Sequence, residues 1–146
     1  MRRWAAILGT AAVLSMASAL PTATADQPAA PAAADQVTHW AMSHGDTRTE
    51  GDIYWGSGYS AYAYGWVKAG GSVRTVCYSG SAGELGAGGE CTTAQPGRTE
   101  RFAYRFFVKT EGGVHRVDVT LFDGERPSEE GVLGQLYCTR EGCTPI

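Results

Sequence analysis

Three histidines and a scatter of carboxylates are the side chains of this 146-residue chain with the means to do acid–base or metal chemistry. His39 and His44 flank Trp40-Ala41-Met42-Ser43, and Asp46 follows, so a three-ligand cluster can be drawn through them. A metal site needs rigidly held ligands with their own supporting partners. This segment has the weakest periodicity in the chain, and no metal is assigned to it. His115, next to Arg116, reads as an exposed turn residue. No Gly-x-Ser-x-Gly elbow presents a nucleophile. Glu129-Glu130 and Asp123 with Glu125 are the residue types of a paired-carboxylate glycosidase, but their setting reads as solvated loop. Asp46, Glu50 and Asp52 do not follow a calcium-loop pattern. The sequence therefore predicts no catalytic residue, no metal and no cofactor, and the chain is read as a non-enzymatic protein.

The four cysteines, Cys77, Cys91, Cys138 and Cys143, make an even set. In an exported chain this is the arithmetic of disulfides rather than of thiol chemistry. Of the three possible pairings, Cys77–Cys91 and Cys138–Cys143 each close a local loop, one Gly-rich and one the tight Thr139-Arg140-Glu141-Gly142. Restricting the unfolded chain in this way contributes roughly 3 and 2 kcal/mol respectively.

Export is read from the N-terminus. Met1-Arg2-Arg3 gives a positive start, Trp4 to Leu20 an apolar run and Ala23-Thr24-Ala25 a small-residue cleavage site. The expectation is a signal peptide over residues 1–25, cleaved after Ala25, and a secreted, extracellular protein. Residues 26–36 (DQPAAPAAADQ) are an Ala/Pro-rich tether with too little apolar surface to offset its ordering entropy. Residues 37–146 form a single domain. No later apolar run approaches the roughly 18 residues of a membrane helix. Cleavage takes Arg2 and Arg3 from the 12 basic residues and leaves 10 against 15 acidic ones, with Lys68 and Lys109 the only lysines. Phosphate backbones and anionic membrane surfaces are bound by clustered cations, so neither nucleic acid nor membrane is an expected partner.

Apolar alternation with period two runs through most of the domain and predicts strands rather than helices. Phe102, Tyr104, Phe106 and Val108 share one face, and Val117, Val119 and Leu121 share another beyond Gly112-Gly113. A two-residue Gly-Gly loop would make these a hairpin with Phe106 opposite Val119 and Tyr104 opposite Leu121. Gly70-Gly71 likewise would join Tyr59–Ala69 to Ser72–Ser79, with Trp66 opposite Thr75 and Tyr64 opposite Cys77. Tyr62, Tyr64, Trp66, Val73, Thr75 and Cys77 then form the expected core face of that hairpin. Shorter strands are expected at Asp52–Trp55, Leu133–Cys138 and Val37–Met42, and the Gly-rich Ser79–Gly97 segment reads as a loop. Six or seven strands close most simply as a small antiparallel immunoglobulin-like β-sandwich, with a small β-barrel as the alternative. In its cysteine framework, chiefly Cys138-Thr139-Arg140-Glu141-Gly142-Cys143, the chain resembles the small exported apoproteins that carry enediyne chromophores. That resemblance implies a seven-stranded sandwich with two local disulfides, and no ligand is carried over from it.

Two binding roles follow, with a small-ligand carrier or a hydrolase as lesser readings. The first is protein–protein: the apolar segment Val37-Thr38-His39-Trp40-Ala41-Met42 follows the tether and is able to complete the sheet of another secreted protein by strand addition. Residues 37–50 are then either a free, donated strand or an edge strand of the chain's own sheet. Val37, His39, Trp40 and Met42 are the candidate binding residues for an adaptor or assembly subunit. The second is carbohydrate. Tyr54, Trp55, Tyr59, Tyr62, Tyr64 and Trp66 crowd into 13 residues, and Tyr54, Trp55 and Tyr59, near the Gly56-Ser57-Gly58 turn, are the candidates for stacking on a polysaccharide.

Overall fold

The computed structural model describes residues 36–56 and 58–146. The signal-peptide reading of residues 1–25 and all but Gln36 of the tether lie outside the described residues. Nine strands alternate buried and exposed side chains: β1 (Gln36–His44), β2 (Thr47–Trp55), β3 (Ser60–Lys68), β4 (Arg74–Ala82), β5 (Leu85–Ala94), β6 (Thr99–Phe107), β7 (Arg116–Asp123), β8 (Val132–Thr139) and β9 (Gly142–Pro145). They form two antiparallel sheets, ordered β1-β2-β3-β6 and β5-β4-β7-β8-β9. β6 runs beside β5, and β1 beside β8 and β9, so the two long sides of the sandwich are covered. The architecture is the expected sandwich and not a closed barrel. It has two strands more than the alternation alone resolved, β5 in the Gly-rich segment read as loop and the short β9.

Both expected hairpins are replaced by crossings between sheets. β3 pairs with β2 and β6, placing Trp66 opposite Glu50 and Arg101, while β4 pairs with β5 and β7. Gly70 and Gly71 lack the positive φ that a two-residue hairpin loop requires. A Cβ at Gly70 would meet the Asp46 carboxylate, the movable end of an exposed side chain. Gly112 and Gly113 do turn with positive φ, but inside an eight-residue link, 108–115, that carries the chain from β6 in one sheet to β7 in the other. The faces expected for β6 and β7 are correct, since Phe102, Phe106, Val117, Val119 and Leu121 are all buried. Their partners are not each other. The actual tight turns are Gly45-Asp46, Gly83-Glu84 and Arg140-Glu141, each joining two paired strands.

The face expected to be core on β3 is also reversed. Ala61, Ala63, Gly65 and Val67 point inward, and Tyr62, Tyr64 and Trp66 point out. The cause is one cross-strand row, Trp40–Gly51–Gly65–Phe102, with rings on the two edge strands and glycines on the two central ones. The Trp40 and Phe102 rings fold inward over the glycines and stack 6.0 Å apart, and Tyr78 from the opposite sheet stacks on Phe102 at 4.5 Å. A Cβ at Gly51 would lie 2.3 Å from the Trp40 ring, and one at Gly65 would lie 2.6 Å from the Glu50 carbonyl oxygen. Large side chains on the inner face of β3 would compete for the volume these rings already fill.

The β1 edge is tied down by more than its ladder. Gln36–His44 pairs in register with β2 along its whole length, in place of a strand held free for a partner. The Trp55 indole donates to Thr38 Oγ1 at 2.8 Å, and Thr38 Oγ1 donates to the Thr139 carbonyl at 2.8 Å. The Arg140 guanidinium lies 5.6 Å from the Trp55 ring and donates to the Gly56 carbonyl. Cys77–Cys91 bridges a directly opposed pair on β4 and β5, and Cys138–Cys143 does the same on β8 and β9, as the local pairing predicts.

Two outcomes follow from the core. Gly51→Ala is expected to lower stability by about 1–3 kcal/mol through overpacking against Trp40, whereas Gly86→Ala, which meets nothing within 4 Å, stays within about 0.5 kcal/mol of the parent. Urea unfolding midpoints measure both. The Tyr78 hydroxyl is pushed above its ordinary value of 10.0 by burial, opposed by its bond to Thr92 and reinforced by Glu90. The unfolded phenol ionises first, so stability is retained below the ordinary tyrosine value and falls as pH climbs through it toward the folded-state value. Tyr78→Phe removes that increment, and its midpoint should decline less between about pH 9 and about pH 11 than the parent's does.

Candidate functional site

Because β3 turns its bulk outward, the outer face of the β1-β2-β3-β6 sheet becomes an aromatic and basic surface. The register fixes it row by row. Val37, Tyr54, Tyr62 and Arg105 form one row; His39, Asp52, Tyr64 and Ala103 the next; then Ala41, Glu50, Trp66 and Arg101; then Ser43, Arg48, Lys68 and Thr99. Neighbouring rows stand about 6.8 Å apart and neighbouring strands about 4.8 Å. Tyr62, Tyr64 and Trp66 therefore make a continuous ring stripe down β3, with Tyr54 beside it. All four rings are half-buried. Phe107 extends the stripe at one end, 51% exposed, and meets the Tyr59 ring edge-on at 6.3 Å. The Arg105 guanidinium sits 5.7 Å from the Tyr62 ring and 5.8 Å from Phe107, held over both faces by cation–π attraction.

Charge is unevenly distributed over this face. Arg48, Lys68, Arg101 and Arg105 oppose Glu50 and Asp52, on a chain whose formal net charge is -3. Both carboxylates are engaged: Asp52 lies 3.0 Å from His39 Nδ1, and Glu50 accepts from Arg48 at 2.7 Å. Pairs as exposed as these add little stability, and with Glu50 matched by Arg48 the face still carries Lys68, Arg101 and Arg105 against Asp52. Among the described residues Lys68 and Arg101 have no ion-pair partner. Together with Trp66 and Thr99 they line a depression of about 230 Å³ at the β1–β2 turn end of the face.

The outer face of the other sheet differs in kind. Arg116 is spent on Asp118, at 2.6 Å, and stacks on Tyr137 at 4.8 Å. Thr120 and Gln135 beside them are short or neutral, and the Cys77–Cys91 bridge closes the far side. A second depression of about 340 Å³, lined by Phe122, Pro127, Val132 and Glu129 among others, lies under the β7–β8 connection. Apart from Tyr78 in the core, the groups with shifted proton affinity are Arg116, raised by its bond to Asp118, and Glu141. The Glu141 carboxyl lies below the ordinary range because the Thr139 hydroxyl and a backbone N–H donate to it. Neither is on the aromatic face. Among the described residues no group of three or more His, Cys, Asp or Glu is placed to hold a metal ion.

The residues singled out from sequence divide between surface and core. Val37, His39 and Tyr54 lie on the aromatic face, and Tyr59 flanks it, 47% exposed. Trp40 and Trp55 are 1% and 0% exposed and serve the core. Met42 points inward against the partly packed core, facing Gly134. Tyr62, Tyr64 and Trp66 belong to the site although their face was read as core, and Lys68, Arg101, Arg105 and Phe107 were not singled out at all. A usable signal was present. Arg101 and Arg105 alternate with Phe102 and Phe106, which fixes the outer face of β6, and Ala61-x-Ala63-x-Gly65 is a face too small to build a core unaided.

Comparison of the chain with known protein families, curated proteins and solved structures finds no match. The site is accordingly defined by its own geometry: a ring-paved sheet face with unbalanced cations at one end.

Trp66 is the half-buried tryptophan of the described residues, flanked by Arg101 and Lys68 and by a Glu50 whose charge is matched by Arg48. The fluorescence component lost in Trp66→Phe should therefore be quenched more strongly by iodide than by caesium, whereas the emission of Trp40 and Trp55 resists both. Charge removal at Lys68 and Arg101 narrows the difference between the two ions, and Stern–Volmer slopes measure it.

Proposed function

We propose that this chain is a secreted, non-enzymatic binding module that docks a partner protein on the outer face of the β1-β2-β3-β6 sheet. The observation that carries this reading is the inversion of β3, which buries Ala61, Ala63, Gly65 and Val67 and leaves Tyr62, Tyr64 and Trp66 to solvent. Burying a large ring is worth roughly 1.5–3 kcal/mol. Three rings held half out of the core are a reserve of that size for an encounter with something else.

The composition of the face favours a protein. Tyr, Trp, Phe and Arg are the residues enriched in interface cores and in the few contacts that dominate binding. Four strands of nine residues give a surface of about 20 by 30 Å, approaching the roughly 800 Å² that each partner contributes to a standard interface. It is an exposed sheet face, whereas small ligands are held in concave pockets that cover most of their surface. Two disulfides at the edges of one sheet fit an oxidising, extracellular setting, and the N-terminal residues read as its export signal.

A photo-crosslinking amino acid placed at Tyr62, and in a separate protein at Tyr137 on the opposite face, tests the proposal in the native culture medium. Discrete protein adducts from position 62 and none from 137 are expected. With the captured partner in hand, Trp66→Ala should weaken binding by about thirtyfold, the effect of losing a contact worth about 2 kcal/mol. Adducts from 137 alone overturn the reading, and so does retention on insoluble polysaccharide without any protein adduct.

A further inference from the structure

We infer that the docking partner is acidic where it meets the Lys68–Thr99 end of the face, and that the depression between Trp66, Lys68, Thr99 and Arg101 receives a carboxylate of a polypeptide side chain. This rests on the proposed docking face and names the chemistry of what binds there. Lys68 and Arg101 are diagonal neighbours on β3 and β6, which places their backbones about 7–8 Å apart. Like charges at that spacing repel, and no described carboxylate stands between them. Glu50, a diagonal neighbour of Lys68 on β2 as Arg101 is on β6, is committed to Arg48. An anion entering the 230 Å³ depression meets both cations and the Thr99 hydroxyl, while the Trp66 ring covers the methylene stem behind it.

Charge also selects between occupants. A second copy of this chain seated on the same face by a two-fold axis would set two faces with the same excess of cations, Lys68, Arg101 and Arg105, against each other. An acidic partner instead gains from every one of them. Nucleic acid would meet the same cations, but the two carboxylates and the four rings spread over the face interrupt any continuous phosphate track.

Three probes applied to the full chain at low ionic strength test the inference: poly-L-glutamate, polygalacturonate and sodium sulfate. Poly-L-glutamate should shift the Trp66 indole N–H and the Thr99 and Arg101 amides saturably in nitrogen–proton correlation spectra. Added salt should reverse the shifts. Combined Lys68→Ala and Arg101→Ala substitution should weaken that binding about five- to thirtyfold, and Lys109→Ala should leave it unchanged. Sulfate giving the same shifts while polyglutamate gives none overturns the inference in favour of a simple anion site. Tighter binding of polygalacturonate overturns it in favour of an acidic polysaccharide, and shifts spread equally to Lys109 and Arg126 reduce it to general charge attraction. If crosslinks form at Tyr62 while polyglutamate fails, the docking face stands and only the acidic character of the partner falls. Failure of both removes the two readings together.

Discussion

The row Trp40–Gly51–Gly65–Phe102 is the constraint on which the remaining structure depends. Two edge-strand rings can fold across a sheet only where the central strands offer no side chain, and the absent Cβ atoms at Gly51 and Gly65 provide that floor. Tyr78 then completes the stack from the other sheet. Rings lying flat over two strands fill the gap between the sheets at this row, while Ile53 and Trp55 of β2 fill it further along. This is why Ala61 and Ala63 suffice on the inner face of β3, and why β1 and β6, the two edges, are held to the core by their largest side chains.

The aromatic outer face is a consequence of that core. Once the inner volume is taken by rings from β1, β4 and β6, the side-chain period of two leaves the other set of β3 residues on the outside. The tyrosines and tryptophan therefore pave the surface, where they pack beside Tyr54 and beneath Arg105. The same sheet could not bury both sets. Its outer face carries cations in excess, since Glu50 is matched by Arg48 and Asp52 alone stands against Lys68, Arg101 and Arg105. A molecule negative overall thus presents one locally positive, ring-lined plane.

How far this was legible varies by element. The faces of β6 and β7 were readable, because in each a run of large apolar residues alternates with Arg, Asp or Thr. The disulfides were readable, since local closure in cross-strand pairs needs only short chain segments. β3 was not, because Ala-Ala-Gly-Val and Tyr-Tyr-Trp both alternate cleanly and either set satisfies the period. β5 hid behind three glycines and a run of small residues over Leu85–Thr93, whose strand character comes from pairing with β4 rather than from propensity. The same limit applied to the site: Tyr54, Tyr59, Val37 and His39 were reachable from their spacing, whereas Lys68, Arg101 and Arg105 become neighbours of the ring stripe only when β6 pairs with β3.

Sequence by itself determined that this chain makes strands, that its cysteines close locally, and that its aromatic residues crowd around β2 and β3. These are local properties, set by side-chain alternation and by distances of a few residues along the chain. Tertiary structure alone decided which strands share a sheet, which face of β3 is inside, and that Gly70-Gly71 and Gly112-Gly113 carry crossings instead of hairpins. Strand pairing is a competition among long-range partners with nearly equal local preferences. Here it is resolved by the one arrangement that lets Trp40, Phe102 and Tyr78 stack over Gly51 and Gly65.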